Sequence, residues 1–61
     1  LNMNTMSLNE LKRHPYINYY QAKAIISYRR INGQIHSLKQ LSTSPDFTEE
    51  TIKRLLPYVT Y

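Results

Sequence analysis

The stretch PYINYYQAKAII, residues 15–26, decides the fold because it joins the end of one predicted helix to the beginning of the next. Pro15 fixes its own φ and disfavours the α region for His14, so a preceding helix must end there. Asn18 and Gln21 have the spacing of a capping box, which predicts a helix that begins immediately after Asn18. The apolar face of that helix carries Ala22, Ile25 and Ile26. The stretch therefore predicts a tight turn followed by an amphipathic helix.

Another capping box lies upstream, at Ser7 and Glu10, and predicts a short helix that ends before His14. Residues 7–28 therefore form a predicted helix-hairpin-helix unit. Its hairpin consists of residues 14–18, which we call hairpin one. We expect the functional chemistry of the chain to lie in this hairpin.

The chain then repeats this unit. SLNELKRHPYINYYQAKAIISY at 7–28 aligns without a gap with SLKQLSTSPDFTEETIKRLLPY at 37–58, an offset of 30 residues. The identical pairs are Ser7/Ser37, Leu8/Leu38, Leu11/Leu41, Pro15/Pro45, Lys23/Lys53 and Tyr28/Tyr58. Most of these are caps, turn prolines and apolar positions, so the alignment indicates a duplicated supersecondary unit. We call the two copies repeat one and repeat two, and residues 44–48 hairpin two.

The capping and proline signals predict four helices, and no segment shows the alternation of a strand, so the predicted fold is all-α. The predicted helices follow Ser7, Asn18, Ser37 and Thr48 and end by His14, about Ile31, Ser44 and Pro57. We expect residues 1–6 to be extended, and Gly33 to end the second helix in the left-handed conformation. The predicted core consists of Leu8, Leu11, Ile17, Ala22, Ile25, Ile26, Tyr28, Ile35, Leu38, Leu41, Phe47, Ile52, Leu55, Leu56 and Val59.

The bulk properties exclude several classes of protein. At 61 residues the chain is expected to form one domain, residues 1–61, and since it begins at Leu1 we expect it to be a segment of a longer protein. It has no cysteine, and His14 and His36 lack acidic companions at ligand spacing, so no metal site is expected. No nucleophile, base and orienting group can be assembled into a catalytic set. We therefore expect no enzymatic activity, no cofactor and no membrane contact from this segment.

The net charge of +4 is concentrated in the first half of the chain. Residues 1–31 carry five basic residues and one acidic residue, whereas residues 32–61 carry three of each. A basic surface on repeat one favours nucleic acid or another polyanion as a partner. The alternative is a charge that serves only solubility, and the composition is compatible with both.

The segment SLNELKRHPYINYYQAKAIISYRRINGQIHSLKQL, residues 7–41, resembles the helix-hairpin-helix domain of bacterial ComEA-type competence proteins. The residues that match the pattern of that family are Asn2, Asn4, Thr5, Ser7, Pro15, Ile17, Ala22, Ile25, Tyr28, Arg29, Asn32, Gly33, Ser37 and Leu41. The resemblance implies a SAM-like bundle of two helix-hairpin-helix motifs related by a pseudo-two-fold axis. It also implies sequence-independent DNA binding by hairpin amides and helix N-termini, a role in DNA uptake, and a membrane-anchored or exported parent protein.

Both hairpins depart from the Gly-Ile-Gly sequence of that family. Hairpin one reads Tyr-Ile-Asn at 16–18, and hairpin two reads Asp-Phe-Thr at 46–48. Glycine in such a hairpin accepts a positive φ and lets backbone amides approach a phosphate, so Tyr16 places a ring in that approach. Hairpin two is followed by Glu49 and Glu50, where carboxylates stabilise a helix start and repel DNA.

We therefore assign weak, non-specific DNA binding, with duplex favoured over single strand, to hairpin one and its flanks. The assigned residues are Lys12, Arg13, Tyr16, Ile17, Asn18, Tyr19, Tyr20 and Lys23. Three interpretations of Tyr16, Tyr19 and Tyr20 remain open: one of the last two rings packs inward, the rings stack on unpaired bases, or they bind another protein. The last gives the alternative function, a helix-hairpin-helix scaffold with a protein partner.

Overall fold

The computed structural model describes residues 1–61, and its regular elements are all helical. In chain order they are helix α1 (Leu8–Lys12), helix α2 (Tyr19–Asn32), a first 3₁₀ helix (Leu38–Thr43), helix α3 (Glu49–Leu55) and a C-terminal 3₁₀ helix (Leu56–Tyr58). The only extended pairing is an isolated parallel bridge between Asn2 and Thr60, which belongs to no strand. The prediction of an all-α fold is confirmed.

The helices of the two repeats begin where the capping signals predict. The N-cap residues are Ser7, Asn18, Ser37 and Thr48. The box at Asn18 is reciprocal: its side chain accepts the Gln21 N–H at 2.8 Å, and the Gln21 side chain accepts the Asn18 N–H at 2.9 Å. Such bonds satisfy donors that every helix start leaves free, so local sequence is enough to place the start.

Two helix ends differ from the prediction. Gly33 has the expected positive φ of 85°, but its ψ of −153° lies outside the left-handed helical region. Helix α3 ends at Leu55, before Pro57 as predicted, but the chain then continues through Pro57 as a 3₁₀ turn that was not predicted. Proline is tolerated there because the first turn of a helix needs no N–H donor from that residue.

One core holds the domain together. Its 11 buried residues are Met3, Leu11, Ile17, Ala22, Ile25, Ile35, Leu38, Leu41, Phe47, Ile52 and Leu55. All except Met3 were predicted. Four other predicted residues are only half-buried, namely Leu8, Ile26, Tyr28 and Val59. The prediction for Leu56 was wrong, since its side chain is 52% exposed: the change from α to 3₁₀ winding at this residue turns it away from the core.

The N-terminal residues 1–6 form a compact turn and not the extended segment expected from the sequence. Met3 is fully buried, and its N–H donates to the Thr60 carbonyl at 3.0 Å. The Asn4 side chain bonds both backbone groups of Ile35: Nδ2 donates to the carbonyl at 2.9 Å, and Oδ1 accepts the N–H at 2.7 Å. These bonds attach the N-terminal turn to the segment that connects the two repeats.

The two hairpins have the same local hydrogen bonds. In hairpin one, the His14 and Ile17 N–H groups donate to the carbonyls of Leu11 and His14, at 3.2 and 3.0 Å. In hairpin two, Ser44 and Phe47 make the equivalent bonds at 2.9 and 3.1 Å. Ile17 and Phe47 are both buried, as the alignment of the repeats predicts.

Neither hairpin contains a positive φ, since Gly33 is the only residue with one. Asn18 tolerates the left-handed region, yet it adopts extended angles of φ −92° and ψ 176°. Thr48 is similar, with φ −77° and ψ 165°. The hairpins therefore form without glycine and without backbone strain, contrary to the expectation that glycine supplies a positive φ there.

Candidate nucleic-acid interface

Seven of the eight residues assigned to DNA binding have exposed side chains on hairpin one and its flanking helices. The exception is Ile17, whose side chain is 3% exposed and belongs to the core. Its N–H is also occupied, because it donates to the His14 carbonyl. Ile17 therefore supports the hairpin from within and offers neither its side chain nor its amide to a ligand.

The other amides at the tip of hairpin one are also bonded within the chain. The Tyr16 N–H donates to His14 Nδ1 at 3.2 Å, and the Asn18 N–H donates to Gln21 Oε1 at 2.9 Å. A phosphate at the tip would have to displace these bonds. The tip therefore differs from the amide contacts that the family resemblance implies.

The first turn of α2 leaves two donors free. The N–H groups of Tyr19 and Tyr20 have no hydrogen-bond partner within the chain, as is usual for the first residues of a helix. Helix α2 has 14 residues, and its dipole adds a partial positive charge at this end. The start of α2 is therefore better suited to a phosphate than the tip of the hairpin.

Two lysine side chains reach this helix start from different helices. The Nζ atoms of Lys12 in α1 and of Lys23 in α2 each lie 6.0 Å from the centre of the Tyr19 ring. The Tyr19 ring therefore has a cation from each of the two helices near it. Both ion pairs of the structure are in α3, so Lys12, Lys23 and the neighbouring Arg13 form no ion pair. Their charge is available to an external anion.

The three tyrosines of hairpin one and α2 divide into two clusters. None packs inward: Tyr16, Tyr19 and Tyr20 are 42%, 46% and 67% exposed, so the interpretation with one inward ring is wrong. Tyr19 and Tyr20 contact each other edge to face, with ring centres 5.5 Å apart. Tyr16 instead contacts aromatic residues of its own hairpin and of the C-terminal segment.

This second cluster joins hairpin one to the end of α3. The ring of Tyr58 lies 5.0 Å from that of His14 and 5.8 Å from that of Tyr16, centre to centre. The Arg54 guanidinium lies 5.5 Å from the centre of the Tyr16 ring. Sequence reasoning missed Tyr58 and Arg54, because folding alone brings them to the hairpin and no local spacing signals the contact.

Hairpin two presents the opposite charge on an equivalent backbone. Glu49 and Glu50 begin α3 and pair with Lys53 at 4.0 Å and with Arg54 at 3.3 Å. Asp46 is exposed at the tip. Carboxylates favour a helix start for the same electrostatic reason that they disfavour a phosphate there. Of the two hairpins, hairpin one is therefore the one whose surface is suited to an anion.

The histidines do not build a metal site. His14 accepts the Tyr16 N–H through Nδ1, and no three His, Asp or Glu side chains are grouped so as to hold a metal ion. The helices are short and carry many polar residues. None has both the length and the apolar character needed to cross a bilayer.

Comparison with known proteins identifies the structural motif of the chain but no individual relative. A family model described as a helix-hairpin-helix motif matches residues 1–60, nearly the whole chain. No curated protein matches the chain, and no solved structure does. The match is to the motif in general and does not single out competence proteins. The chain belongs to the helix-hairpin-helix family, whose motif is generally associated with non-specific binding to DNA.

Proposed function

We propose that this domain binds double-stranded DNA weakly and without sequence preference, through hairpin one and the start of α2. The observation that carries the proposal is the convergence of the Lys12 and Lys23 ammonium groups on a helix start with two free amides. No carboxylate pairs with either lysine. Contacts of this kind hold phosphates and carry no information about the bases.

The expected affinity is low because few groups are available to phosphate. Lys12, Arg13 and Lys23 are the cations of this surface, and the tip amides are already bonded within the chain. If about two or three phosphates are neutralised, the log–log salt slope on duplex DNA is about −2 to −3. Duplex is favoured over single strand because the Tyr16 ring contacts the chain's own Tyr58 and Arg54 and is not a free stacking surface.

We also infer that a pseudo-two-fold axis relates the two repeats, as in a SAM-like bundle of two helix-hairpin-helix motifs. Two observations support it: the equivalent hydrogen bonds of the hairpins, and a pattern of burial that is the same in residues 11–20 and 41–50. Because the second hairpin carries carboxylates, only one of the two related hairpins is expected to contact phosphate.

The resemblance of residues 7–41 to ComEA-type competence proteins supports a role in DNA uptake, with residues 1–61 as a single module of a membrane-anchored or exported protein. Weak binding without sequence preference suits a protein that binds DNA of any sequence and releases it again. We propose that the module acts by binding alone, without catalysis and without a cofactor.

The alternative of a protein-binding surface on Tyr16, Tyr19 and Tyr20 has less support. Binding hot spots are usually central, contiguous clusters that a partner covers together. Here the three rings divide between two clusters, and Tyr16 contacts His14 and Tyr58 of the same chain. We therefore prefer DNA as the partner of this surface.

A titration of labelled blunt duplex DNA at several salt concentrations tests the proposal. Lys23→Gln removes a charge from the proposed site, and Lys53→Gln removes the charge at the equivalent position of repeat two. We expect Lys23→Gln to weaken binding about tenfold and to reduce the salt slope by about 1. Lys53→Gln is expected to leave both quantities nearly unchanged.

Two outcomes of this titration would contradict the proposal. Equal effects of the two substitutions would show that repeat one is not the binding surface. Binding that does not respond to salt would exclude phosphate contacts as its source. A single strand of the same length, used as a competitor, tests the preference for duplex.

A further inference from the structure

A basic side chain of repeat two lies beside hairpin one. The Arg54 guanidinium, which belongs to α3, lies 5.5 Å from the centre of the Tyr16 ring, and Tyr16 is 42% exposed. Arg54 is itself an exposed residue. Hairpin one therefore has a cation from the other repeat at its surface, in addition to the basic residues that its own flanking helices supply.

The Tyr16 ring has two aromatic neighbours. It contacts the His14 ring at 5.6 Å and the Tyr58 ring at 5.8 Å, centre to centre, and both contacts are edge to face. Contacts of this geometry are favourable and restrict the ring. A guanidinium is attracted to the electron-rich face of such a ring. Arg54 is therefore held near hairpin one by a ring that the fold itself positions.

The contact has no equivalent in the other direction. Ala24 stands at the position of Arg54 in repeat one, and Asp46 stands at the position of Tyr16 in hairpin two. Hairpin two therefore has neither a cation nor an aromatic ring from these positions. The charge of Arg54 thus lies at the hairpin that is proposed to contact DNA, although the residue belongs to repeat two.

Most of the hydrogen-bonding capacity of Arg54 is unused within the chain. A guanidinium has five N–H donors, and the one hydrogen bond of the Arg54 side chain runs from Nη2 to Glu50 Oε1 at 3.3 Å. This ion pair is open to solvent, since the Arg54 side chain is 55% exposed and that of Glu50 is 83% exposed. Exposed pairs one helical turn apart contribute little to stability, so a phosphate can replace the carboxylate. The fork of donors in a guanidinium also suits phosphate oxygens.

Arg54 is close enough to the start of α2 to contact the same DNA molecule. Tyr16 precedes Tyr19 by three residues, which span at most about 11 Å. Duplex DNA carries one negative charge for about every 1.7 Å of its axis, so about six phosphates lie within that length. A duplex on the start of α2 therefore presents phosphates near the Tyr16 ring and the guanidinium beside it.

We propose that Arg54 is a further DNA-contacting residue, which exchanges its ion pair with Glu50 for a backbone phosphate when duplex DNA binds hairpin one. This inference rests on the proposed function, because it extends the same surface onto repeat two. Glu50 then competes with DNA for the guanidinium. The repeat whose own hairpin is acidic thus contributes one cation to the site, and one carboxylate that weakens binding.

Anisotropy titrations of labelled duplex DNA test the contact at two neighbouring residues of α3. Arg54→Gln removes the cation beside Tyr16, and Lys53→Gln removes an equal charge one position earlier, where the side chain pairs with Glu49 at 4.0 Å. Each substitution also leaves one glutamate unpaired, so the two variants are matched in charge. We expect Arg54→Gln to weaken binding about fivefold and to reduce the salt slope by about 1, and Lys53→Gln to change neither appreciably. Both residues are exposed and glutamine favours a helix, so both variants should keep the wild-type Tm.

Substitution of the two glutamates tests the exchange of the ion pair. Glu50→Gln releases Arg54 and should strengthen binding about threefold, whereas Glu49→Gln removes the same charge but releases Lys53 and should have a smaller effect. In the Arg54→Gln background the two glutamate substitutions should have equal effects, because no guanidinium is left to release. The difference between the backgrounds measures the coupling of Glu50 to Arg54. Equal effects in both backgrounds would show that the pair is not exchanged and would overturn the proposal.

Lys23→Gln, measured beside these variants, separates this proposal from the proposed function. If Lys23→Gln weakens binding and Arg54→Gln does not, Arg54 does not contact DNA, and the proposal fails while the DNA function stands. Equal losses for Arg54→Gln and Lys53→Gln would show that net charge and not position decides, which overturns the proposal as well. If the wild type does not bind duplex DNA at any salt concentration, the proposed function fails and this proposal fails with it.

Discussion

Hairpin one and hairpin two have equivalent backbones and opposite surface chemistry. Each is closed by the same hydrogen bonds and has a buried apolar residue, Ile17 in one and Phe47 in the other. The two helices that follow begin with a pair of tyrosines at 19–20 and a pair of glutamates at 49–50. The comparison shows that buried and capping positions determine this motif. Its exposed positions are therefore free to determine which ligand, if any, each hairpin attracts.

The largest effect is expected from the buried residues that the hairpins share. Ile17→Ala should lower the free energy of unfolding by about 2–5 kcal/mol, and Phe47→Ala by about 3–5 kcal/mol, because each leaves a cavity in the core. Losses of this size are comparable to the total stability of a small domain. Denaturant unfolding followed by circular dichroism measures both. If either truncation left the stability unchanged, the equivalence of the hairpins would be wrong.

A second comparison concerns the residues that precede each repeat at equivalent positions, Asn4 and Gln34. Asn4→Ala removes two hydrogen bonds to Ile35 and should cost about 1–3 kcal/mol, because part-buried backbone groups lose their partners. Gln34 is exposed, and Gln34→Ala should change the stability by less than about 0.5 kcal/mol. Equal unfolding midpoints for the two variants would show that the N-terminal turn contributes nothing.

Exchange of surface chemistry sharpens the comparison of the hairpins. Ser42→Lys combined with Glu49→Tyr and Glu50→Tyr gives repeat two the residues of repeat one at these positions. We expect duplex affinity to rise about tenfold and the salt slope to steepen by about 1, since a second basic helix start becomes available. Fluorescence anisotropy measures both quantities.

The reciprocal exchange is the matched control. Lys12→Ser combined with Tyr19→Glu and Tyr20→Glu gives repeat one the chemistry of repeat two, and should abolish measurable binding. Thermal melts must first show that both triple variants fold. An increase in affinity for the control would show that the exposed residues do not decide the ligand.

The smallest effect is expected at the third residue of the first helix in each repeat, where Glu10 corresponds to Gln40. Hydrogen bonds from the Ser7 backbone and side chain, with Arg13 nearby, hold the pKa of Glu10 below its usual value of 4.5. Because the folded pKa is the lower one, the stabilisation is complete above about pH 4.5 and is lost as the pH falls through the folded value. Glu10→Gln should therefore reduce the acid-induced decrease in Tm, measured from about pH 6 to pH 3. If the decrease in Tm were the same in Glu10→Gln as in the wild type, protonation of Glu10 would not contribute to the loss of stability in acid.

The helix starts and hairpins could be predicted because their signals are local. A cap such as Asn18 acts within three residues, and Pro15 constrains only its neighbour. Met3 could not be predicted, because its burial depends on Thr60 and on the bonds between Asn4 and Ile35. No periodicity of the N-terminal segment indicates such contacts.

The candidate site shows the same division between local and long-range information. The basic residues Lys12 and Lys23 could be placed near one another from the sequence, since they lie in the two predicted helices that flank hairpin one. Which amides remain free could not be predicted, because it depends on where the His14 and Gln21 side chains point. The position of Tyr16 depends on Tyr58, which only the tertiary fold brings near.

Hairpins without glycine also change the unfolded chain. The positions that are glycine in the pattern this chain resembles are Tyr16, Asn18, Asp46 and Thr48, and none has a positive φ. At such a position a residue other than glycine stabilises a protein by about 0.4–1 kcal/mol, because the unfolded chain has less conformational freedom to lose. Four positions together contribute about 2–4 kcal/mol, a large share of what a core of this size supplies. The side chains that stand in place of glycine at the hairpins thus stabilise a domain that has no disulfide to restrict its unfolded state.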